Sequence, residues 1–351
     1  MEGMASSSEP GGESMRVRSK FLYPVAAFLL VVLVITGASF AQLSTNDVHV
    51  VPRSTPDTPE KPANSIDPEL QTHTAPIKKD VDLVLVPVTI TDQMDRLITG
   101  LAKDNFQLFE GKQRQEIRHF STEDAPISLG VIFDMSGSMV SKIERAREAV
   151  VEFCKSANPQ DEFFMVTFSD VPRLVTDFTR NVDEIQNKLV FTGPKGRTAL
   201  LDAVYLGMHK MKQAKNQKKA LLIISDGGDN HSRYTESEIK SQIKEADVMI
   251  YSVGIYDHSF PTIEEKLGPE LLNEMSEVTG GRSFTIDNPN DLPDVASKIG
   301  MQLRNQYVLG YRPSKVQHDG KWHKIKVKLH IPKGLPPLQV YARTGYYAAA
   351  Q

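Results

Sequence analysis

The sequence predicts an α/β fold: a doubly wound, mostly parallel sheet, inserted in or flanked by a small antiparallel β-sandwich that the N- and C-terminal segments form together. Three observations predict it. Apolar runs at 129–133, 220–225 and 248–255 alternate with stretches of helical periodicity, as the strands and crossover helices of a parallel sheet do. These runs are apolar at nearly every position, the mark of strands covered on both faces. Before residue 126 and after residue 305, short β-branched runs separated by polar turns predict antiparallel strands instead.

Residues 1–41 read as a Sec signal peptide, or as a membrane anchor if it is retained. Arg16, Arg18 and Lys20 precede an apolar run over 21–37, and the small residues Ser39 and Ala41 favour cleavage after Ala41. At about 17 residues the run is at the short limit for spanning a bilayer. Either way the remainder is expected outside the cytoplasm, and any membrane association would pass through an uncleaved N-terminal segment. No Cys follows the run, so no lipid-attachment site of the bacterial lipoprotein kind is present there. Residues 42–79 carry Pro52, Pro56, Pro59, Pro62, Pro68 and Pro76 among polar residues, and read as an extended spacer.

Residues 80–125 supply the first part of the sandwich, with strands over 81–91, 105–109 and 115–120. Residues 126–305 form the α/β domain. Its first strand is followed by a helix over 139–157, with apolar spacing at Ile143, Ala146, Val150 and Phe153. Strands over 161–168 and 171–178 form a hairpin through Ser169 and Asp170. Helices over 182–189 and 199–214 lead to the strand at 220–225, a helix over 236–246 and the strand at 248–255. A helix over 269–279, a strand over 282–286 and a final helix over 291–305 complete the domain. Residues 306–351 return to β structure at 307–311, 322–331 and 338–343; the middle run alternates at Ile325, Val327 and Leu329. Sheets this small are unstable alone, so these strands are expected to pair with those of 80–125. No period of 20–50 residues repeats, which excludes solenoids.

Composition narrows the function. The formal net charge of −3 over 351 residues, with scattered basic residues, argues against nucleic acid as a partner. Cys154 is the only cysteine, which rules out an intramolecular disulfide; it sits in a helical stretch and reads as a small buried apolar residue. Trp322, Tyr307, Tyr311, Tyr346 and Tyr347 read as sandwich packing rather than a sugar site. The lysines over 210–219 and 321–328 read as solvated faces.

The chemistry concentrates at one strand end. The run over 129–133 stops at Asp134-Met-Ser136-Gly-Ser138, a carboxylate and two hydroxyls in alternation at the carboxyl end of a buried strand, where open α/β sheets bind ligands. Thr198 precedes a helix, and Asp226 ends the strand at 220–225; in a doubly wound sheet these loops share one rim. Oxygen donors of this kind suit a hard cation such as Mg²⁺, with Mn²⁺ or Ca²⁺ as alternatives.

Asp134-Met-Ser-Gly-Ser138, with Thr198 and Asp226 downstream, resembles the metal-ion-dependent adhesion site of von Willebrand factor type A domains, over about residues 126–305. More narrowly, Thr99-Gly-Leu-Ala-Lys-Asp-Asn-Phe106, Ser225-Asp-Gly-Gly-Asp-Asn230, Gln306-Tyr-Val-Leu-Gly-Tyr311 and Ala342-Arg-Thr-Gly-Tyr346 resemble bacterial secreted proteins with a von Willebrand factor A-related domain. The resemblance implies divalent-cation-dependent protein binding without catalysis. Ser136, Ser138 and Thr198 would touch the metal, Asp134 and Asp226 would act largely through water and hydrogen bonds, and a carboxylate of a partner protein would complete the ion. Asp229, Asn230, His231 and Arg233 follow on the same loop, either shaping partner choice or forming a polar loop that caps the next helix.

Two rival readings stand beside this one. A phosphohydrolase of the haloacid dehalogenase type would use Asp134 as nucleophile, but wants a second acid where Ser136 stands. A structural domain of the same fold would keep the motif without binding metal. No Gly-x-Ser-x-Gly elbow or Walker loop is present. A non-enzymatic adhesion module is therefore the expectation.

Overall fold

The computed structural model describes residues 83–190, 193–256, 263–314, 319–330, 334 and 336–348. The expected signal segment and Pro-rich spacer lie outside the described residues. Among the described residues no helix is long and apolar enough to cross a membrane.

A six-stranded sheet lies at the centre. Its strands are β5 (Ile127–Asp134), β6 (Glu162–Phe168), β7 (Arg173–Thr179), β8 (Lys218–Ser225), β9 (Met249–Ile255) and β10 (Ser283–Ile286), in the order β10-β9-β8-β5-β6-β7. All neighbours are parallel except β6 and β7, which form the expected hairpin. Every residue of β5, β6 and β9 is buried, which explains the apolar runs read at 129–133 and 248–255. Helices cover both faces. On one, α1 (Ile143–Lys155), α2 (Val182–Val190) and α6 (Leu292–Arg304) pack on Leu129, Val131 and Phe133. On the other, α3 (Leu200–Met211), α4 (Glu236–Glu245) and α5 (Ile263–Glu277) pack on Ile132, Phe164 and Ile223. Each large aliphatic or aromatic side chain withdrawn from water here contributes roughly 1.5–3 kcal/mol. Cys154 is buried in this core, and burial pushes its thiol pKa up to about 12, so it packs as an inert apolar residue.

The flanking strands make two four-stranded sheets. One has the order β13 (Gln339–Ala342), β1 (Val84–Thr91), β11 (Tyr307–Tyr311), β4 (Ile117–Ser121). The other has the order β14 (Gly345–Tyr347), β12 (Trp322–Leu329), β2 (Phe106–Glu110), β3 (Gln113–Gln115). Each interleaves strands from before and after the α/β region, with Val86 opposite Leu309 and Leu108 opposite Val327. Their shared core holds Val88, Leu108, Tyr307, Leu309, Tyr311 and Ile325, with Tyr346 partly buried against it, so these three tyrosines pack as expected, whereas Tyr347 is exposed.

Four elements differ from expectation. The strand expected at 115–120 divides into β3 and β4, in different sheets. The helix expected from 139 begins at Ile143, because residues 137–139 close a 3₁₀ turn. The helix expected from Pro269 begins six residues earlier and carries that proline inside it, forgoing one backbone hydrogen bond. β14 was not anticipated; three residues are too few to show a period.

Candidate functional site

Three loops meet at the carboxyl edge of the central sheet, and backbone hydrogen bonds stitch them together. Met135 N–H donates to the Phe168 carbonyl at the end of β6 (2.7 Å). Gly137 N–H donates to Gly196 O (3.0 Å), and Lys195 N–H to Met135 O (2.8 Å). The loop entering α3 is bound in turn to the loop leaving β8: Thr198 N–H donates to Asn230 Oδ1 (3.0 Å), and Thr198 O accepts from the N–H groups of Asn230 and His231 (3.1 and 3.2 Å).

The five motif residues therefore lie on adjoining, mutually bonded segments. Asp134 ends β5, fully buried. Its Oδ1 accepts the Ser136 N–H (2.8 Å), a tight side-chain turn of the kind that Asp forms with a donor two residues on. Its Oδ2 accepts the Ser225 hydroxyl (2.6 Å), and Ser225 Oγ accepts the Gly227 N–H (3.0 Å). Ser136 and Ser138 share a hydrogen bond between their hydroxyls at 3.1 Å; Ser136 is buried and Ser138 exposed, so the pair runs from the interior to the surface. Thr198 and Asp226 are both buried. Gly227 has φ +77°, and a Cβ there would stand 2.8 Å from the Gly268 Cα, so only glycine lets the β8 loop turn here against α5.

The electrostatics are unbalanced. Burial and the neighbouring Asp226 charge raise the Asp134 pKa well above the ordinary carboxylate range, against the hydrogen bonds that favour its ionised form. Asp226 Oδ2 is buried and accepts no hydrogen bond among the described residues; Lys142 Nζ, also buried, faces it at 3.5 Å. The Tyr256 hydroxyl is buried and likewise unbonded, its pKa raised by burial and by the Asp226 charge. A buried carboxylate oxygen that accepts no hydrogen bond among the described residues, two carboxylates in one buried space and a ladder of hydroxyls leading outward form an oxygen donor set that fits a hard divalent cation. The described residues gather no group of three or more His, Cys, Asp or Glu suited to a metal; here two carboxylates stand among hydroxyls.

Of the four rim residues, two hold backbone N–H groups at the entry to α3. Asp229 Oδ2 accepts the Leu201 N–H (2.9 Å) and the Ser232 hydroxyl (2.6 Å), so with Asn230 it secures the start of α3. Both thus bond the preceding helix's entry rather than capping the following one. His231 Nδ1 lies 3.3 Å from Arg197 Nη1, and Arg233, whose side chain is 81 % exposed, bonds Asp202 through Nε at 3.0 Å; these two remain at the surface. Sequence reasoning missed Lys142 and Ser225. Lys142 carries a signal in retrospect: a lone cation between Met139 and Ile143, at the start of a helix, where an acid is ordinarily favoured.

A family model described as von Willebrand factor type A domain matches residues 129–228. Among curated proteins, the chain is 28 % identical over 170 residues to inter alpha-trypsin inhibitor heavy chain 4 of Mus musculus, covering 42 % of this chain and 18 % of that protein. It is 26 % identical over 140 residues to the Bos taurus heavy chain H4, covering 36 % and 15 %. The chain thus spans less than a fifth of these relatives. Among solved structures, a von Willebrand factor type A protein from Catenulispora acidiphila is similar with TM-score 0.47 and 14 % identity, over 77 % of this chain and 64 % of that one. The von Willebrand factor domain of the pilus tip protein Mfa5 from Porphyromonas gingivalis has TM-score 0.43 and 12 % identity, over 51 % and 95 %. The matched segment runs from β5 to the Asp226 loop and so contains all five motif residues. The chain thus contains a von Willebrand factor type A domain over the matched residues 129–228.

Proposed function

We propose that this protein is a non-enzymatic, extracytoplasmic protein-binding module whose site at Asp134, Ser136, Ser138, Thr198 and Asp226 takes a divalent cation, Mg²⁺ by preference. The observation that carries the reading is the buried Asp226 Oδ2, which accepts no hydrogen bond among the described residues, in the same space as a second carboxylate. Two buried carboxylates faced by the single cation of Lys142 leave a costly net negative charge, and a divalent cation is the ligand that relieves it. Bound there, the ion would offer an open coordination position to a carboxylate oxygen of a partner protein. The chain's own residues divide the remaining work. Ser225 and the Ser136 N–H fix the Asp134 carboxylate, the Ser136–Ser138 pair extends the oxygen donors to the surface, and Asn230 fixes the backbone at Thr198.

Asp134 is a poor nucleophile as placed, because it is fully buried and each of its oxygens already accepts a hydrogen bond; this disfavours the phosphohydrolase reading. The basic, apolar and small-residue pattern over 16–41 supports an extracytoplasmic setting. A pulldown from an envelope fraction tests partner binding. Prey retained with Mg²⁺ and released by EDTA would support it; prey indifferent to EDTA would count against a metal-dependent contact.

A further inference from the structure

Lys142 is buried at the amino end of α1, between the buried side chains of Met139 and Ile143. Two terms oppose a cation there: its desolvation, and the positive end of the helix dipole. Its surroundings show what offsets them. Nζ donates to the Ile255 carbonyl at the end of β9 (3.1 Å) and faces Asp226 Oδ2 at 3.5 Å. The lysine therefore reaches from α1 across the sheet edge to the Asp226 oxygen that accepts no hydrogen bond among the described residues.

We propose that Lys142 is a tethered counter-ion of the metal site, supplying in the metal-free protein part of the charge that a divalent cation supplies when bound. This rests on the metal reading above. With both carboxylates ionised, Asp134 and Asp226 with Lys142 sum to one negative charge. A divalent cation then leaves one positive charge, which one partner carboxylate neutralises. Without the lysine, the metal alone would bring the site to zero and leave no surplus for a partner. Lys142 thus lets the domain keep its fold without metal, weakens metal binding, and makes metal and carboxylate bind cooperatively.

The test compares the wild type with Lys142→Met and Lys142→Gln, the second of which keeps an N–H donor for Ile255. Mn²⁺ affinity is measured by the paramagnetic resonance of the free ion, with and without acetate as a minimal carboxylate, and melting is followed in EDTA and in Mn²⁺. Removing the unit charge that faces Asp226 Oδ2 at 3.5 Å removes its repulsion of the ion and predicts Mn²⁺ binding tighter by at least about tenfold. Both variants should melt lower than the wild type in EDTA, and acetate should strengthen Mn²⁺ binding more in the wild type. Variants that fold only with Mn²⁺ would support the proposal equally. Equal or weaker Mn²⁺ binding by folded variants, or failure of both to fold even in millimolar Mn²⁺, would overturn it while leaving the metal reading in place if the wild type binds. No Mn²⁺ binding by any of the three proteins would overturn both.

Discussion

Ser225 Oγ stands 2.6 Å from Asp134 Oδ2, a side-chain bond that joins the carboxyl ends of the adjacent strands β8 and β5 beneath the candidate metal site. The serine also accepts the Gly227 N–H, so it couples the Asp134 carboxylate to the loop that carries Asp226. Ser225→Ala should leave a buried carboxylate one donor short and an N–H without its acceptor, at a cost of about 2–3 kcal/mol. Urea denaturation in EDTA measures it; a change below about 0.5 kcal/mol would show that the bond does not hold the site.

Asp229 and Arg233 were alike in sequence, as polar residues on one loop, and the structure separates them. Asp229→Ala removes the acceptor at the start of α3 and should cost about 1–2 kcal/mol, as loss of a helix cap does. Arg233→Ala removes an exposed pair to Asp202 and should cost well under about 1 kcal/mol. The reverse order in thermal melts would contradict the assignment of Asp229 to the entry of α3.

Arg304, at the end of α6, bonds both Asp161 and Asp124, and the Asp161 carboxylate is buried while accepting the N–H groups of Ile127 and Asn158. Arg304→Met would leave that buried charge unpaired, with an expected loss of roughly 3–5 kcal/mol. The double variant with Asp161→Asn should recover part of it; a strictly additive cycle would show that the pair is not the cause.

In the sandwich, His323 lies between Asp319 (3.1 Å) and Glu110 (2.8 Å). Burial works against its imidazolium, but hydrogen bonds and charge from Asp319 and Glu110 outweigh burial and raise the pKa above the ordinary 6.5. The proton is therefore bound more tightly in the folded state. Its stabilisation is fully present below pH 6.5 and is lost as pH rises through the higher folded-state value. Melting temperature should step down over that interval, and His323→Gln should remove the step; an unchanged step would assign it to another group.

The order of strands and helices was legible because β5, β8 and β9 are covered on both faces, which leaves an apolar run that needs no knowledge of the partner strand. The motif at Asp134 was legible because its spacing is local. What escaped depends on contacts distant in sequence. The role of Lys142 requires Ile255 and Asp226, more than 80 residues away, and the bond of Asp229 runs backward in the chain to Leu201. The early start of α5 was hidden because Pro269 ordinarily marks a helix's first turn, whereas here it lies inside the helix.

The most direct test of the central claim is the melting temperature of EDTA-treated protein as Mg²⁺ is added, beside Asp134→Ala. A ligand that binds the folded state stabilises by about 2.7 kcal/mol at a hundred times its dissociation constant. The wild type should therefore melt progressively higher and level off, while the variant stays flat. No shift at millimolar Mg²⁺, or the same shift in both proteins, would contradict a cation held at Asp134, Ser136, Ser138, Thr198 and Asp226.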